Sequence, residues 1–349
     1  MPDTLPGKQR DDLTLIIGGR EIFIESGTLV KTMDTGADAF SCLMPWALGV
    51  DPALDAITAP FSYSPARLFI GGKLESELIL YDVTHRTSVA GTVKELAFYS
   101  KTADMIDSSV RVPFEENNVD LLQRAIGQAF EFDIDVVVDT GVEIGGRFNR
   151  VTSEPTAMCF AELAKLAAQR GLLLSCTKEG NLLITKAKPN SPPVGTIREN
   201  ESPEAGEYSM SFNGRDRFIR YEAHVQSARG GIVKQRATDD KITRNRFLTF
   251  RADDGLPGEG KNAAIWRRNK TAADALALDF PVNTWYAPNG TLWQPNTTVT
   301  IISPTMNIQN GFTFLISQVQ YEFNSGGSTA VLSLKPPSMY TDGDLEEPW

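Results

Sequence analysis

The sequence predicts an α+β protein, mainly β, built from two β-barrel-like domains with a small α/β module inserted between them. Short apolar runs separated by Gly-rich turns fill both ends of the chain, helical periodicity is concentrated in its middle, and a proline-rich stretch follows that middle. We expect a first barrel domain over 10–112, the α/β module over 113–188, a linker over 189–207 and a second barrel domain over 208–340.

The first barrel region consists of short strand-like runs. LTLIIGG and EIFIES flank Gly18-Gly19, a two-glycine signal for a hairpin. Next come LVKTM and AFSCLMPW, and then ARLFIGGKLESELILYDVTHRTSVAGTVKELAFYS, in which apolar runs alternate with Gly-containing turns. Many short strands with regular turns are typical of a barrel or a sandwich.

The middle region changes to helical spacing. NNVDLLQRAIGQAF predicts one helix, and PTAMCFAELAKLAAQR predicts a second, with Pro155 near its first turn and Gly171 just past its end. FDIDVVVD predicts a strand between the helices, and LLLSCTKEGNLLITKA predicts a hairpin after them. The order helix, strand, helix, hairpin indicates a compact α/β module.

Strands return after a stretch with four prolines, KPNSPPVGTIRENESPEAGE, which predicts the linker. FIRYEAHVQ predicts a strand, and a helical insertion is expected near 262–280. A hairpin with its tip at Asn289-Gly290 comes next, and FLISQVQYEF and TAVLSLKPP complete an antiparallel set. Trp285 and Trp293 flank the tip, and we expect them to pack against each other across the hairpin.

Composition limits the classes of function. The 349 residues carry a net charge of −10, which argues against a general affinity for nucleic acid because such affinity needs Lys and Arg on the phosphates. Cys42, Cys159 and Cys176 are scattered without metal-ligand spacing, so they indicate buried thiols in a reducing compartment. No apolar run approaches the ~20 residues of a membrane span, and the N-terminus lacks a signal-peptide pattern. We expect no cofactor, no metal and no membrane-spanning segment.

An Asp-Thr-Gly triplet occurs twice, beginning at Asp34 and at Asp139. In aspartic proteases two such triplets each supply a carboxylate, and the pair shares one proton. Pepsin-like enzymes have Ser or Thr after the triplet, whereas this chain has Ala37 and Val142, and its two triplets lie in regions with different element order. We therefore assign no catalytic residue, and an aspartic protease that uses Asp34 and Asp139 is the alternative function.

Two other functions are less favoured. Asp133, Asp135 and Asp139 would share one face of a strand, which suits a divalent cation, although a solvated strand face over an apolar underside is the favoured explanation. A carbohydrate-binding β protein would need an exposed Trp46, or an exposed Trp in the 285–293 hairpin.

Three stretches in order resemble the baseplate hub proteins of Mu-like and other contractile-tailed phages. They are KTADMIDSS (101–109), FAELAKLAAQRGLLLSCTKEGNLLITKA (160–187) and NGTLWQPNTTVTI (289–301). The similarity extends over roughly 13–337, and the ordered set carries it rather than any single motif. In this family the position of Asp34 lies in a loop without a catalytic role.

The resemblance implies a structural protein of the virion that is not an enzyme and is located in the tail baseplate after assembly in the host cytoplasm. It implies a homotrimeric ring in which each copy contributes two related barrel domains, so that six near-equivalent units meet a sixfold tail tube. The implied partners are further copies of the chain, the tail tube protein, the central spike protein and other baseplate proteins. Genome DNA would pass through the ring without specific binding.

Overall fold

The computed structural model describes residues 3–89, 91–111, 115–153, 156–201, 208–226, 232–251, 263–341 and 343–348. The N-terminal part contains β1 (Leu13–Ile17), β2 (Arg20–Ile22), β3 (Ser26–Thr32), β4 (Ala39–Pro45), α1 (Pro52–Ile57), β5 (Pro65–Ile70), β6 (Lys73–Ser88), β7 (Gly91–Tyr99) and α2 (Thr102–Asp107). Gly18 and Gly19 form the β1–β2 turn with positive φ angles, as the two-glycine signal predicts.

The middle part contains β8 (Glu115–Val119), α3 (Leu121–Phe130), β9 (Val136–Val138), β10 (Phe148–Thr152), α4 (Cys159–Gln169), β11 (Leu173–Cys176) and β12 (Leu182–Thr185). Asp120 caps α3 by accepting hydrogen bonds from the backbone N–H groups of Leu122 and Gln123. The helix α4 ends before Gly171, which has a φ of +69°; Pro155 lies outside the described residues. The two helices bury one apolar stripe each against the sheet β11-β12-β9.

The C-terminal part contains β13 (Thr196–Arg198), β14 (Ser209–Phe212), β15 (Arg220–Gln226), β16 (Ile232–Thr238), β17 (Phe247–Arg251), α5 (Ala263–Asp274), β18 (Leu276–Val282), β19 (Thr298–Ser303), β20 (Ile308–Asn324) and β21 (Gly327–Lys335). The expected helix near 262–280 ends at Asp274, and the rest of that range is β18. β13 lies within the stretch expected as a linker and pairs in parallel with β19. α5 packs on the small sheet β16-β15-β17.

One large sheet connects the two ends of the chain. Its strand order is β14-β18-β21-β20-β3-β4-β7-β6-β5-β1-β2, with β19 and β13 continuing from β20. The mainly β class is confirmed, but over the described residues the strand path stays open instead of closing into two separate barrels. The two ends meet where β3 pairs antiparallel with β20, from Gly27 opposite Phe323 to Thr32 opposite Gln318. One hydrophobic core, with Leu29 and Tyr321 among its members, draws on both ends.

The two ends repeat one arrangement of strands. The order β4-β7-β6-β5 in the first half matches β18-β21-β20-β19 in the second, with the same order along the chain. The hairpins β6–β7 and β20–β21 close at Ser88 opposite Gly91 and at Asn324 opposite Gly327. Each hairpin has a one-residue bulge seven positions before its closing residue, at Tyr81 and at Ser317. A matching bulge at the same distance from a matching turn indicates that the halves are two copies of one structural unit.

Candidate functional site in the polar cleft

A polar cleft of about 530 Å³ lies where the two halves of the large sheet meet the α/β module. β3 and β6 contribute to one side, β11 and β12 to another, and the segment 294–297 to a third. The polar groups that line it include Lys31, Asp38, Glu75, Asp139, Cys176, Lys178, Lys188 and Gln294. It is the place where all three predicted regions of the chain come together.

Lys31 is the centre of a buried ionic network. Its Nζ lies 2.9 Å from Glu75 Oε1 and 3.3 Å from Asp38 Oδ2, and it also donates to the backbone carbonyl of Glu75 at 3.2 Å. β3 and β6 are separated in the sheet by β4 and β7, so this contact requires the sheet to curl until the two strands face each other. The curl explains why barrel-like patterning is present although the strand path does not close.

The two carboxylate oxygens that contact Lys31 also accept hydrogen bonds from other side chains. Gln294 Nε2 donates to Glu75 Oε1 at 2.9 Å, and Ser76 Oγ donates to Asp38 Oδ2 at 2.8 Å. The backbone N–H of Asp38 donates to Ser100 Oγ at 3.0 Å. Because Gln294 comes from the C-terminal half and the other residues come from the N-terminal half, the network connects the two halves across the cleft.

The charges of this network suit a structural role. Burial opposes the ammonium form, yet Asp38 and Glu75 together raise the pKa of Lys31 above its ordinary value. Lys31 is therefore held as a cation and is a poor nucleophile. Burial raises the pKa of the Cys176 thiol to about 12, which leaves almost no reactive thiolate at neutral pH.

Asp139 lies at the far side of the cleft, directly after β9. Its carboxylate accepts from Thr185 Oγ1 at 2.8 Å and pairs with Lys188 Nζ at 2.7 Å. Partial burial alone would raise the pKa of Asp139, but Lys188 and Thr185 lower it below its ordinary value. Asp139 is thus held as a carboxylate whose partners are Lys188 and Thr185.

Asp34 is elsewhere, exposed in the loop between β3 and β4. The charged groups that act on it are Lys270, Asp274 and Lys335. No hydrogen bond or ion pair joins Asp34 to Asp139 in the described parts of the chain, whereas a protease dyad needs its carboxylates about 3 Å apart. The structure gives no support to the aspartic protease alternative.

The other sequence-level candidates are not assembled either. β9 covers only Val136–Val138, and Asp133 sits in a turn with a φ of +55°, so the three acidic residues do not share a strand face. Across the described ranges, no group of three or more His, Cys, Asp or Glu side chains is arranged to hold a metal ion. The longest described helix, α5, has 12 residues, and none of the described helices could span a membrane.

The tryptophans are used for packing. Trp285 and Trp293 are fully buried, and the backbone N–H of Trp293 donates to the carbonyl of Trp285 at 3.0 Å across the hairpin. The Trp285 ring packs against Tyr321 and Phe323, whereas we expected it to pack against Trp293. Trp46 is half-buried beneath Lys94, whose Nζ lies 4.3 Å from its ring, and its own Nε1 donates to Asp55. Trp285 and Trp293 therefore offer no open face for a sugar to stack on, whereas Trp46 is partly exposed.

Comparison with known proteins finds similarity to phage baseplate proteins. The family profile "Baseplate hub protein gp44-like, second domain" matches residues 102–186, and "Mu phage baseplate assembly protein GpP, fourth domain" matches residues 257–343. The baseplate hub protein gp44 of Escherichia phage Mu is 25% identical over 286 residues, which cover 77% of this chain and 74% of that protein.

This chain is similar to the Mu-type baseplate hub proteins. Two solved structures share its fold over nearly their whole length. The 43 kDa tail protein of prophage MuSo2 from Shewanella oneidensis has a TM-score of 0.79 at 24% identity, over 95% of this chain and 100% of that one. The tail protein from Neisseria meningitidis MC58 has a TM-score of 0.79 at 19% identity, over 95% and 98%. The resemblance predicted from three ordered stretches of sequence is confirmed.

Sequence reasoning missed the Lys31 network. A signal was available, because Lys31 interrupts the apolar run LVKTM and Glu75 lies among buried residues of β6. An isolated charge in such a run indicates a buried pair, since an unpaired charge would be too costly there. The sequence could not identify the partners of these charges, because they are distant along the chain. Lys31 and Glu75 are 44 residues apart, and Glu75 and Gln294 are 219 residues apart.

Proposed function

We propose that this chain is the structural hub of a contractile phage-tail baseplate, without catalytic activity of its own. Three copies form a ring that joins the tail tube to the central spike and leaves a channel for the genome. The observation that carries this proposal is the repeated unit, with matching strand order and matching bulges at Tyr81 and Ser317. Its relationship to the Mu hub protein supplies the setting.

The repeat provides a geometric reason for a trimer. A sixfold tube presents six equivalent contact sites, and a chain with two near-equivalent units can match all six with three copies. The two units are fixed relative to each other by the β3–β20 pairing, by their shared core and by the Lys31 network. A fixed spacing of the units within one chain is what a ring of regular spacing requires.

The absence of catalysis is part of the proposal. Lys31 is neutralised by two carboxylates, Asp139 is held ionised by Lys188, and the Cys176 thiol has a pKa of about 12. His85 packs edge-on against Trp46, and His224 pairs with Glu222. The ionisable groups of the cleft are therefore committed to each other, which favours a role in holding regions of the chain together.

Assembly tests the function directly. The purified chain is mixed with the tail tube protein and the spike protein of the same phage, and the mass and images of the complexes are recorded. We expect a three-copy ring with threefold or pseudo-sixfold averages that binds tube on one side and spike on the other. A chain that binds neither partner, alone or in the mixture, would refute the hub assignment.

A further inference from the structure

The two units differ in how one edge of their long strand is used. In the C-terminal unit, β21 occupies one edge of β20, and the other edge is occupied twice: β19 pairs with Ile308–Leu315, and β3 pairs with Gln318–Phe323. The first half of the chain thus supplies the strand that completes the second half. This pairing is the joint between the units.

The corresponding edge of the N-terminal unit is incomplete. β7 occupies one edge of β6, and β5 covers the other edge only over Lys73–Ile79. Counting back from the closing residues Ser88 and Asn324, the counterpart of Gln318–Phe323 is Asp82–Thr87. No strand in the described residues pairs with that edge, and the side chains there are exposed or half-buried. Such an edge presents unpaired N–H and C=O groups to a further strand.

The chain also contains a strand, β14, that lacks a neighbour on one edge among the described residues. β3 pairs with β4 on one edge and with β20 on the other, whereas β14 pairs with β18 and has no second neighbour in the described part of the chain. β18 is the counterpart of β4, so β14 is the counterpart of β3 and ends the large sheet. Phe212 at the end of β14 is 56% exposed.

We propose that β14 of one copy pairs antiparallel with Asp82–Thr87 on β6 of the next copy, which repeats between chains the joint that β3 and β20 make within one. The inference rests on the proposed ring for closure after three copies. A second copy is the partner because this chain supplies both the open edge and a strand that is the structural counterpart of the one already filling the equivalent edge. The contact is head-to-tail, so each copy gives one β14 and receives one.

The repeat also fixes the register of this joint. Leu29 on β3 lies opposite Phe40, which lies opposite Phe98; Met210 on β14 lies opposite Leu278, which lies opposite Leu334. Phe98 and Leu334 are each seven positions after Gly91 and Gly327, so Leu29 and Met210 are counterparts.

Leu29 faces Tyr321, three residues before Asn324, and the residue three before Ser88 is His85. Met210 therefore faces His85 of the next copy. Its neighbours follow in antiparallel order: Ser209 faces Arg86, Ser211 faces Thr84, and Phe212 faces Val83. In this register the exposed Phe212 ring covers the half-buried Val83.

Cysteine cross-linking in the full chain tests the register. Residues directly opposite each other in an antiparallel pair have Cα atoms about 4.5–5.5 Å apart, which a disulfide can bridge. We expect Thr84→Cys/Ser211→Cys to form covalent dimers and closed trimers under mild copper-phenanthroline oxidation. The matched control is Thr84→Cys/Met210→Cys, in which a one-residue offset places the two thiols on opposite faces of the sheet. Each single variant controls for links to Cys42, Cys159 and Cys176.

The in-register pair should cross-link at least about tenfold faster than the offset pair. Met210→Pro should reduce ring formation, because the N–H of Met210 points away from β18 toward the open edge and proline cannot donate there. Negative-stain images of the same samples separate the two levels of failure. Rings without preferential linking of Thr84→Cys/Ser211→Cys would overturn this joint and leave the hub ring in place. Samples with neither rings nor links, in the presence of tube and spike, would overturn both.

Discussion

Lys31→Met should destabilise the protein by about 3–5 kcal/mol, the range seen when one partner of a buried ion pair is removed. The side chains of Lys31, Asp38 and Glu75 are 12%, 3% and 11% exposed, so water cannot replace the lost cation. Met has a similar length and keeps most of the packing of the Lys stem. Glu75 keeps its hydrogen bond from Gln294, and Asp38 keeps its hydrogen bond from Ser76. The expected loss of folding stability is therefore near the lower end of this range, about 3 kcal/mol.

Thermal unfolding at pH 7.5 measures this loss. A destabilisation of about 3 kcal/mol corresponds to a decrease in Tm of roughly 4 °C, because 349 residues at about 2.1 cal/mol/K each give an unfolding entropy of about 0.7 kcal/mol/K. Lys73→Met is the matched control, because Lys73 lies on the same strand as Glu75 but is exposed, and its change should stay within about 0.5 kcal/mol. The double variant Lys31→Met/Glu75→Gln should lose less stability than the sum of the losses in the two single variants, because the two residues interact.

The pH dependence has a definite sign. The folded state raises the pKa of Lys31, so its contribution to stability is fully present below the unfolded-state pKa of about 10.4 and is lost as pH rises through the folded-state pKa. The difference in stability between the original protein and Lys31→Met should therefore be constant from about pH 6 to 9 and should decrease above about pH 10.5. A Lys31→Met variant as stable as Lys73→Met would refute the argument that this network holds the halves together.

Three further predictions address catalysis, domain organisation and charge. The protein should not cleave a denatured substrate at acid pH, and Asp34→Asn and Asp139→Asn should change nothing; inhibitor-sensitive proteolysis lost in Asp34→Asn would contradict this. Limited proteolysis should cut first within 190–206 or 253–262, where the chain is expected to connect its regions, while first cuts inside 119–130 or 157–170 would contradict a separable α/β module. The isolated chain, with its net charge of −10, should bind duplex DNA weakly even at low salt. Tight, salt-sensitive binding would rule out a conduit with an acidic wall, and loss of such binding in Lys234→Glu/Arg251→Glu would locate it on the basic outer face of the small sheet.

Local patterns explain which parts of the fold were predictable. The Gly18-Gly19 turn, the turn at Asn289-Gly290 and the two helices of the middle region follow from residues that are neighbours in sequence. The strand predicted over FDIDVVVD shrinks to Val136–Val138 because Asp133 lies in a turn with a φ of +55°, although Asp135 and Asp139 still make backbone hydrogen bonds to β12. β13 was missed because three residues among prolines gain a strand only from pairing with β19.

The sequence by itself determined a mainly β protein with a helical middle, a relationship to phage hub proteins and the lack of a recognisable catalytic motif. Only the tertiary structure separated Asp34 from Asp139, brought Lys31, Glu75 and Gln294 together, and revealed the repeated unit with its open edge on β6. The physical reason is the distance along the chain over which each interaction acts. Periodicity and turn chemistry act over a few residues, whereas the pairing of β3 with β20 joins positions nearly 300 residues apart and depends on how the whole sheet curls.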